Sequence, residues 1–362
     1  MAPMTRARVV LGLLVAFATG CSLITSLDGL SGGATPPSGA EGGDGGTLLV
    51  DGASEASPGA DTGTDAPVVT KPRVWRQLSV PGPPAVHSAR MAYDEMRKKT
   101  VLYGGRGATT KTDTWEWDGA VWTKGTTAAN PGARNSPGLA YDSTRGVVML
   151  FGGSDGTPDP WQLDGTGWKS SGTSPTSPDV RYSSAMTFDR ARGVLVVFGG
   201  LHFGAMGTNN GETWEWSPAT GFVNRSPQVS PPARHANVLV YDSARSRVVV
   251  YGGHGDNPLG DLWEWDGAAW TQRTPALSPP ARRGACAAFD AARKTMVLFG
   301  GRSPNDNSQG LDDTWLWDGA TWSQGPKGPQ GRSSCAMAYD VDHDQIVMFG
   351  GSPMHLNMMP PA

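Results

Sequence analysis

Five arginines at one repeated position of the chain could bind anions together. Each precedes an aspartate by eight residues, and each of those aspartates follows an aromatic residue. Guanidinium groups gathered at one rim can hold carboxylate or phosphate groups through paired hydrogen bonds. The first repeat has Val86 in place of arginine, and histidine occupies the next position in two repeats, at His87 and His235. The five arginines are Arg134, Arg181, Arg234, Arg282 and Arg332.

A structural role would explain the same arginines and stays open from the sequence. A residue that recurs at one position of every repeat often caps carbonyl groups or packs between neighbouring repeats. A second recurring pattern places an arginine three residues after the aspartate, as in Asp94 and Arg97. We interpret that pair as part of a turn.

The elements that must position these residues are marked by an aromatic residue followed by Gly-Gly. Six such sites occur, their first glycines lie 48, 47, 53, 48 and 50 residues apart, and the aspartate always precedes the first glycine by 10 residues. A fixed period near 50 indicates a repeat architecture. The six sites begin at Tyr103, Phe151, Phe198, Tyr251, Phe299 and Phe349.

Each repeat predicts four antiparallel strands, A to D. The aromatic–Asp pair ends strand A, and a β-branched and aromatic run before Gly-Gly predicts a buried strand B. Four repeats continue with Trp-x-Trp, such as Trp115 and Trp117, and this alternation puts both rings on one face of strand C. Asp-Gly then supplies the positive φ of a tight hairpin. A further aromatic residue, such as Trp122, marks strand D.

This pattern resembles the kelch family of β-propellers, and is similar to the central domain of galactose oxidase, over about residues 74–351. The resemblance implies an all-β, six-bladed kelch-type propeller with four-stranded antiparallel blades. Stacking the sheets around an axis covers faces that one blade alone would leave open. Copper radical oxidases with this fold use a cysteine, tyrosine and histidine set that we do not find here, so no cofactor and no metal site is predicted.

The position of Trp75 predicts how the ring closes. Trp75 lies 11 residues before Val86, and the D-strand aromatic residues of the other repeats lie 10 to 13 residues before the matching position. We therefore expect residues 74–78 to form the D strand of the last blade, next to residues 332–351. The C strand of that blade stays open: residues 355–359, within the tail 352–362, could form a short strand, or the chain could be truncated.

Loop lengths predict where a ligand binds. The A–B and C–D turns lie on one face of a propeller, which we call the turn face, and their lengths hardly change. The B–C loops and D–A connections lie on the other, the loop face, where the distance from Gly-Gly to Trp runs 11, 9, 15, 11 and 15 residues. Variable loops on a rigid scaffold commonly bind ligands. We expect the site here, formed by the arginine rim, His87, His235, and His202 and Phe203 of the loop 201–212.

The N-terminal residues predict the location of the protein. Arg6 and Arg8, the apolar run 9–17 and the small residues before Cys21 resemble a bacterial lipoprotein signal. We expect residues 1–21 to be a signal peptide with Cys21 as the lipidation site, and a plain signal peptide is the alternative. The protein would then be bacterial and extracytoplasmic, anchored by lipid at the outer membrane, in the periplasm or at the cell surface.

Composition sets the remaining domain boundaries. Residues 22–72 are dominated by Gly, Ser, Pro and Asp and predict a disordered tether, followed by the propeller at 73–351. The net charge is −3 and no basic stripe occurs, so nucleic acid is not an expected partner. Cys286 and Cys335 lie on A strands and point to opposite sheet faces. We expect two buried free thiols rather than a disulfide.

These observations predict a non-enzymatic binding module for a protein or glycan ligand. The ligand would bind on the loop face, and the lipid anchor would provide the only contact with a membrane. Two alternatives stay open: a propeller enzyme that acts on sugars at the channel mouth, and a structural component of a cell-surface assembly. The fold alone does not choose among them, because propellers host many functions.

The lipidation site gives the first testable prediction. Replacing Cys21 by alanine removes the thiol that would be acylated, so Cys21→Ala should leave the protein soluble or uncleaved. Membrane fractionation and mass spectrometry of the N-terminus measure both properties. A correctly cleaved Cys21→Ala protein that stays in the membrane fraction would contradict the anchor.

Overall fold

Antiparallel sheets arranged around a central channel make up the computed structural model of this chain. The structure describes residues 22–28, 73–125, 129–154, 159–172, 176–202, 207–304 and 310–353, with residues 22–28 described by their backbone. The described part contains β-strands and turns, and no helix in it has the length and apolar character needed to cross a membrane.

Five blades are each built from consecutive strands of one repeat. Two strands precede them, β1 (Ser22–Asp28) and β2 (Val74–Val80). The first blade contains β3 (Arg90–Asp94), β4 (Lys99–Tyr103), β5 (Thr114–Trp117) and β6 (Trp122–Lys124), and the second contains β7 (Gly138–Asp142), β8 (Val147–Phe151), β9 (Trp161–Leu163) and β10 (Trp168–Ser170). The third blade contains β12 (Ala185–Asp189), β13 (Val194–Phe198), β15 (Thr213–Ser217) and β16 (Gly221–Asn224). Next to it, β11 (Arg181–Tyr182) and β14 (Leu201–His202) form a small separate ladder. The next two are β17 (Val238–Asp242), β18 (Arg247–Tyr251), β19 (Leu262–Trp265), β20 (Trp270–Arg273); and β21 (Cys286–Asp290), β22 (Thr295–Phe299), β23 (Thr314–Trp317), β24 (Trp322–Gln324).

The last repeat contributes two strands, β25 (Ala336–Asp340) and β26 (Gln345–Phe349), to a composite sheet. The strand order of this four-stranded sheet is β2-β1-β26-β25. The expectation of six blades is thereby corrected to five contiguous blades and one sheet assembled from both ends of the described chain. Its inner strand β25 packs against β21 on one side and β3 on the other, so the inner strands of all the sheets follow one another around the channel.

The C strand of the composite sheet comes from a segment that composition had placed in the tether. β1 pairs with β26 from Ile24↔Phe349 to Asp28↔Gln345, and with β2 from Ser22↔Val80 to Asp28↔Val74. The expectation of a tether over residues 22–72 is therefore corrected at its first seven residues. The other proposed C strand, residues 355–359, lies outside the described residues.

Aromatic contacts join each blade to the next. The aromatic residue before Gly-Gly meets the D-strand aromatic of the following blade, as in Tyr103 and Trp168, whose ring centroids are 5.1 Å apart. Trp75 makes the same contact with Phe299 at 5.3 Å. Its indole Nε1 also donates a hydrogen bond of 3.0 Å to Thr314 Oγ1. Trp75 therefore occupies the D-strand position that its spacing predicted.

The turn face is nearly the same in each blade because its charges are used in turns. The Asp94 carboxylate accepts hydrogen bonds from the Arg97 backbone N at 3.0 Å and from Arg97 Nε at 2.7 Å. The Arg97 guanidinium also bonds to Glu116 of β5. In the next blade, a Cβ at Gly165 would lie 3.1 Å from Arg97 Cδ, so the Asp-Gly hairpin rests on this arginine. Turn length is thus restricted by contacts within and between blades.

Cys286 and Cys335 form a disulfide, so the expectation of two free thiols is wrong. Their Cα atoms are 5.7 Å apart. The two residues do belong to opposite faces of their own sheets, as predicted. In a propeller, however, neighbouring blades present opposite faces to each other, and this brings the two thiols together between β21 and the start of β25.

Trp75→Ala tests the closure of the ring. The variant loses the packing on Phe299 and the hydrogen bond to Thr314, so we expect the free energy of unfolding to fall by about 3 kcal/mol. This is a small loss for a tryptophan, because the side chain is only partly buried. Urea denaturation measures the change. Val74→Ala, at an exposed neighbour on the same strand, serves as the control and should change stability by less than about 0.5 kcal/mol. Equal effects in the two variants would argue against closure by β2.

Candidate functional site

The repeated arginines lie inside the fold rather than on a rim. Arg134, Arg181, Arg234 and Arg282 are at most 1% exposed, and Arg332 is 7% exposed. In every case Nη1 donates a hydrogen bond to the carbonyl of the first glycine of the Gly-Gly pair, 18 residues further along the chain. Nε donates to a backbone carbonyl two or three residues before the arginine.

The backbone of each arginine also joins two blades. The carbonyl of Arg134 accepts a 2.8 Å hydrogen bond from the second glycine of the previous repeat, Gly105. The first glycine of that pair, Gly104, has φ of +72°, and a Cβ there would lie 2.4 Å from the Arg134 carbonyl oxygen. The glycine pair is required because the chain of the next blade passes at this distance. The same bond recurs around the ring and ends with Gly351 N donating to Val86 O at 2.9 Å.

Three of the guanidinium groups are neutralised by carboxylates. Arg234 binds Asp261 through two hydrogen bonds of 2.7 Å, and Arg282 binds Asp313 in the same way. Arg181 Nη2 donates to Glu212 Oε2 at 2.9 Å. Burial alone would raise the pKa of Asp261, but the hydrogen bonds and charge of Arg234 outweigh it and lower that pKa. This favours the structural alternative, and we no longer place the five arginines in the ligand site.

The channel mouth on the loop face is formed by a closed ring of backbone hydrogen bonds. The residue two positions after each arginine, or after Val86, donates its N–H to the carbonyl of the equivalent residue in the neighbouring sheet, over 2.7 to 3.0 Å. All members have φ from 53° to 62°, a left-handed conformation that is costly for residues other than glycine. They are Ser88, Ser136, Ser183, Ala236, Gly284 and Ser334.

Side chains that vary from sheet to sheet surround this ring. The residue directly after each arginine, or after Val86, pairs through its backbone with the residue directly after Gly-Gly. We call these the mouth pairs. They are His87–Arg106, Asn135–Ser154, Tyr182–Leu201, His235–His254, Arg283–Arg302 and Ser333–Ser352.

Positive charge collects on one side of the mouth. Arg106 is exposed, Arg283 is half-buried, and Arg302 is buried with Nε donating 2.9 Å to Ser333 Oγ. Burial lowers the pKa of His87, and the charges of Arg106 and Arg302 lower it further. Burial, with His254 and Arg283, lowers the pKa of His235 to about 4. These two histidines are therefore neutral at pH 7, and the arginines carry the charge.

The other predicted residues are placed less uniformly. His235 Nδ1 lies 2.6 Å from Asn209 Oδ1, and its ring centroid lies 5.3 Å from that of His254. His202 is half-buried in β14, with Nε2 3.0 Å from Asn210 Nδ2. His87 Nδ1 lies 3.0 Å from the Oγ atom of the adjacent residue, Ser88. Phe203 lies outside the described residues. The structure thus brings His87 and His235 to the mouth and puts His202 next to it.

Sequence reasoning missed Arg106, His254, Arg283 and Arg302. A signal for them was available, because each lies directly after an arginine or after Gly-Gly in the repeat alignment. These positions change from repeat to repeat while their neighbours do not. A search for residues that recur in every repeat finds the structural arginine and misses the variable position directly after it.

The mouth opens into a cavity of about 1260 Å³ that follows the inner strands. At its other end, on the turn face, Glu95 forms an ion pair with Arg190, and the Tyr141 hydroxyl accepts a 3.1 Å hydrogen bond from Met96 N of the neighbouring blade. In the part of the chain that the structure describes, no group of three His, Cys, Asp or Glu residues is placed to hold a metal ion.

Two comparisons with known proteins bear on the fold. Residues 206–359 match the family model described as the KLHDC2/KLHL20/DRC7 Kelch-repeats domain, which is less than half of the chain. A solved structure described as "Structure of YjhT" superposes with a TM-score of 0.61 at 16% sequence identity, covering 76% of this chain and 93% of that one. Both findings support a kelch-type β-propeller. At this identity the structural likeness concerns the fold alone, and no curated protein matches the chain.

Arg234→Ala tests the structural role of the arginines. The variant leaves the Asp261 carboxylate and the Gly252 carbonyl without their buried partner, and we expect the free energy of unfolding to fall by about 3 kcal/mol. Chemical denaturation measures the loss. Arg106→Ala, at an exposed mouth position, is the control and should cost less than about 0.5 kcal/mol. An unchanged stability in Arg234→Ala would return this arginine to the candidate ligand site.

Proposed function

We propose that this protein is a binding module whose ligand docks on the loop face, at the channel mouth. The observation that carries the proposal is the contrast between a repeated backbone and six different mouth pairs. On the turn face the repeated aspartates and arginines bond to each other, and the arginines also bond to strand C. Variation on a rigid frame is typical of recognition surfaces.

The charge of the mouth favours a ligand with an acidic group. Arg106, Arg283 and Arg302 lie in mouth pairs of one half of the ring, whereas Asn135–Ser154 and Tyr182–Leu201 are uncharged. Arginine at the edge of a binding surface increases the association rate for an acidic partner and selects against a basic one. The ligand classes that fit are a protein with an acidic surface and an acidic glycan.

The enzyme alternative has less support from the geometry. The two carboxylates closest to the repeated arginines are already engaged. Asp261 accepts paired hydrogen bonds from Arg234 and a further one from the Trp263 indole. Asp313 is bound in the same way by Arg282 and the Trp315 indole. A general acid or base must be within reach of substrate and free to exchange a proton. We therefore propose recognition rather than catalysis as the function of the mouth.

The proposal keeps the lipid anchor and takes the composite sheet as a sixth blade. Cys21 directly precedes β1, whose first residue Ser22 pairs with Val80 at the loop-face end of the sheet. A lipid on Cys21 would hold the protein at a membrane close to that sheet. The disulfide between Cys286 and Cys335 supports an extracytoplasmic location, because such bonds persist in oxidising compartments.

Charge reversal at the mouth tests the proposed site. Three baits are prepared in parallel: the unmodified protein, Arg106→Glu on the loop face, and Lys98→Glu, which is exposed on the turn face. Each is used for affinity capture from native membranes and on a glycan array. We expect the unmodified protein and Lys98→Glu to retain the same ligand, and Arg106→Glu to lose about tenfold in affinity. Equal binding by all three baits would contradict the mouth site, and loss in Lys98→Glu alone would move it to the turn face.

A further inference from the structure

Among the residues that the structure describes, one charged side chain borders the channel between its two ends. Arg90 is the first residue of β3, the inner strand of the first contiguous blade, and it borders the channel cavity. The first residues of the other inner strands are all uncharged: Gly138, Ala185, Val238, Cys286 and Ala336. Arginine is therefore not required by the fold at this position.

Arg90 has few partners in the described part of the protein. Its Nη1 donates a 3.1 Å hydrogen bond to the carbonyl of Ala89, and among the described residues no carboxylate forms an ion pair with it. The guanidinium group has five N–H donors, so most of this capacity is unused by the bond to Ala89. The other charges that border the cavity are at its ends, where Glu95 pairs with Arg190 and Arg106 lies at the mouth.

The surroundings of Arg90 make an uncompensated charge unfavourable. Burial lowers the pKa of the Arg90 guanidinium to about 10. The residue nevertheless keeps some accessible surface, and it borders the channel cavity. A charge withdrawn from bulk water gains more from a counter-ion than an exposed one does.

We propose that Arg90 forms an anion-binding site inside the channel, which takes the carboxylate of a small molecule entering from the loop-face mouth. A planar carboxylate matches the guanidinium group through two parallel hydrogen bonds, and one negative charge balances the single positive charge. Apolar Leu239 and Met337 border the same cavity, together with Ser88 of the backbone ring, so the rest of the ligand combines apolar and hydroxyl-bonding parts. The cavity has room for a whole small molecule.

This inference does not rest on the ligand proposed for the loop face. The mouth pairs could recognise a macromolecule whether or not the channel holds a carboxylate. Conversely, the channel site can be tested with a simple salt, without knowledge of the macromolecular ligand. The two proposals therefore fail separately.

Sodium benzoate is the probe, because it joins one carboxylate to one apolar ring. At constant ionic strength, millimolar benzoate should raise the melting temperature of the unmodified protein, and uncharged benzyl alcohol should not. Arg90→Ala carries the residue that Ala185 and Ala336 provide at this position. We expect it to melt at the same or a higher temperature than the unmodified protein and to lose the benzoate effect. Arg106→Ala should keep the effect, because that arginine lies at the mouth.

Several outcomes would overturn the site. They are an equal benzoate shift in Arg90→Ala and the unmodified protein, no benzoate shift in the unmodified protein, and a shift lost in Arg106→Ala but kept in Arg90→Ala. Lower stability of Arg90→Ala without benzoate would assign Arg90 a structural role instead.

If Arg90→Ala does not fold, Arg90→Lys keeps the charge but loses the paired geometry. Its Kd for benzoate, from an NMR titration, should then rise about fivefold, and an unchanged Kd would contradict the proposal.

Discussion

The hydrogen bond from the second glycine of each Gly-Gly pair to a carbonyl of the next blade, which belongs to the repeated arginine or to Val86, sets the spacing of the whole ring. It needs the two backbones to approach so closely that a Cβ on the first glycine would collide with that carbonyl oxygen. The arginine side chain then extends into its own blade and bonds to the next glycine pair. Each arginine thus joins two blades through its backbone carbonyl, and its side chain holds the end of strand B in its own blade. The aromatic contacts between blades depend on this spacing.

Much of the architecture could be predicted because the repeat aligns six copies of each position. The distance of Trp75 from Val86 alone predicts its place in the closing sheet, and the contact with Phe299 agrees with that place. The buried arginines could not be assigned in this way, because a rim residue and an inter-blade residue show the same period. The carbonyl that each guanidinium reaches lies 18 residues away, a distance that only the folded sheet converts into a contact.

Two errors have clear physical causes. For Cys286 and Cys335, the spacing predicts the two sheet faces but says nothing about how neighbouring blades meet, and opposite faces are the ones that meet. For β1, a short strand lies beside a long Gly- and Ser-rich segment, and composition averaged over the whole segment hides seven residues of different character. The mouth pairs have a different cause: their members differ between repeats and therefore form no common motif, although their positions in the repeat are fixed.

The backbone ring at the channel mouth, formed by six residues in the left-handed conformation, also has a rotational direction. Every N–H in it points to the neighbouring sheet in the same rotational sense, so six N–H···O=C hydrogen bonds follow one another head to tail around a circle. Such a circle polarises each of its bonds but has almost no net dipole along the channel axis. Its amide hydrogens are also all engaged. A molecule passing the mouth therefore meets no free backbone donors from these residues, and any preference between anions and cations must come from the side chains above and below the circle.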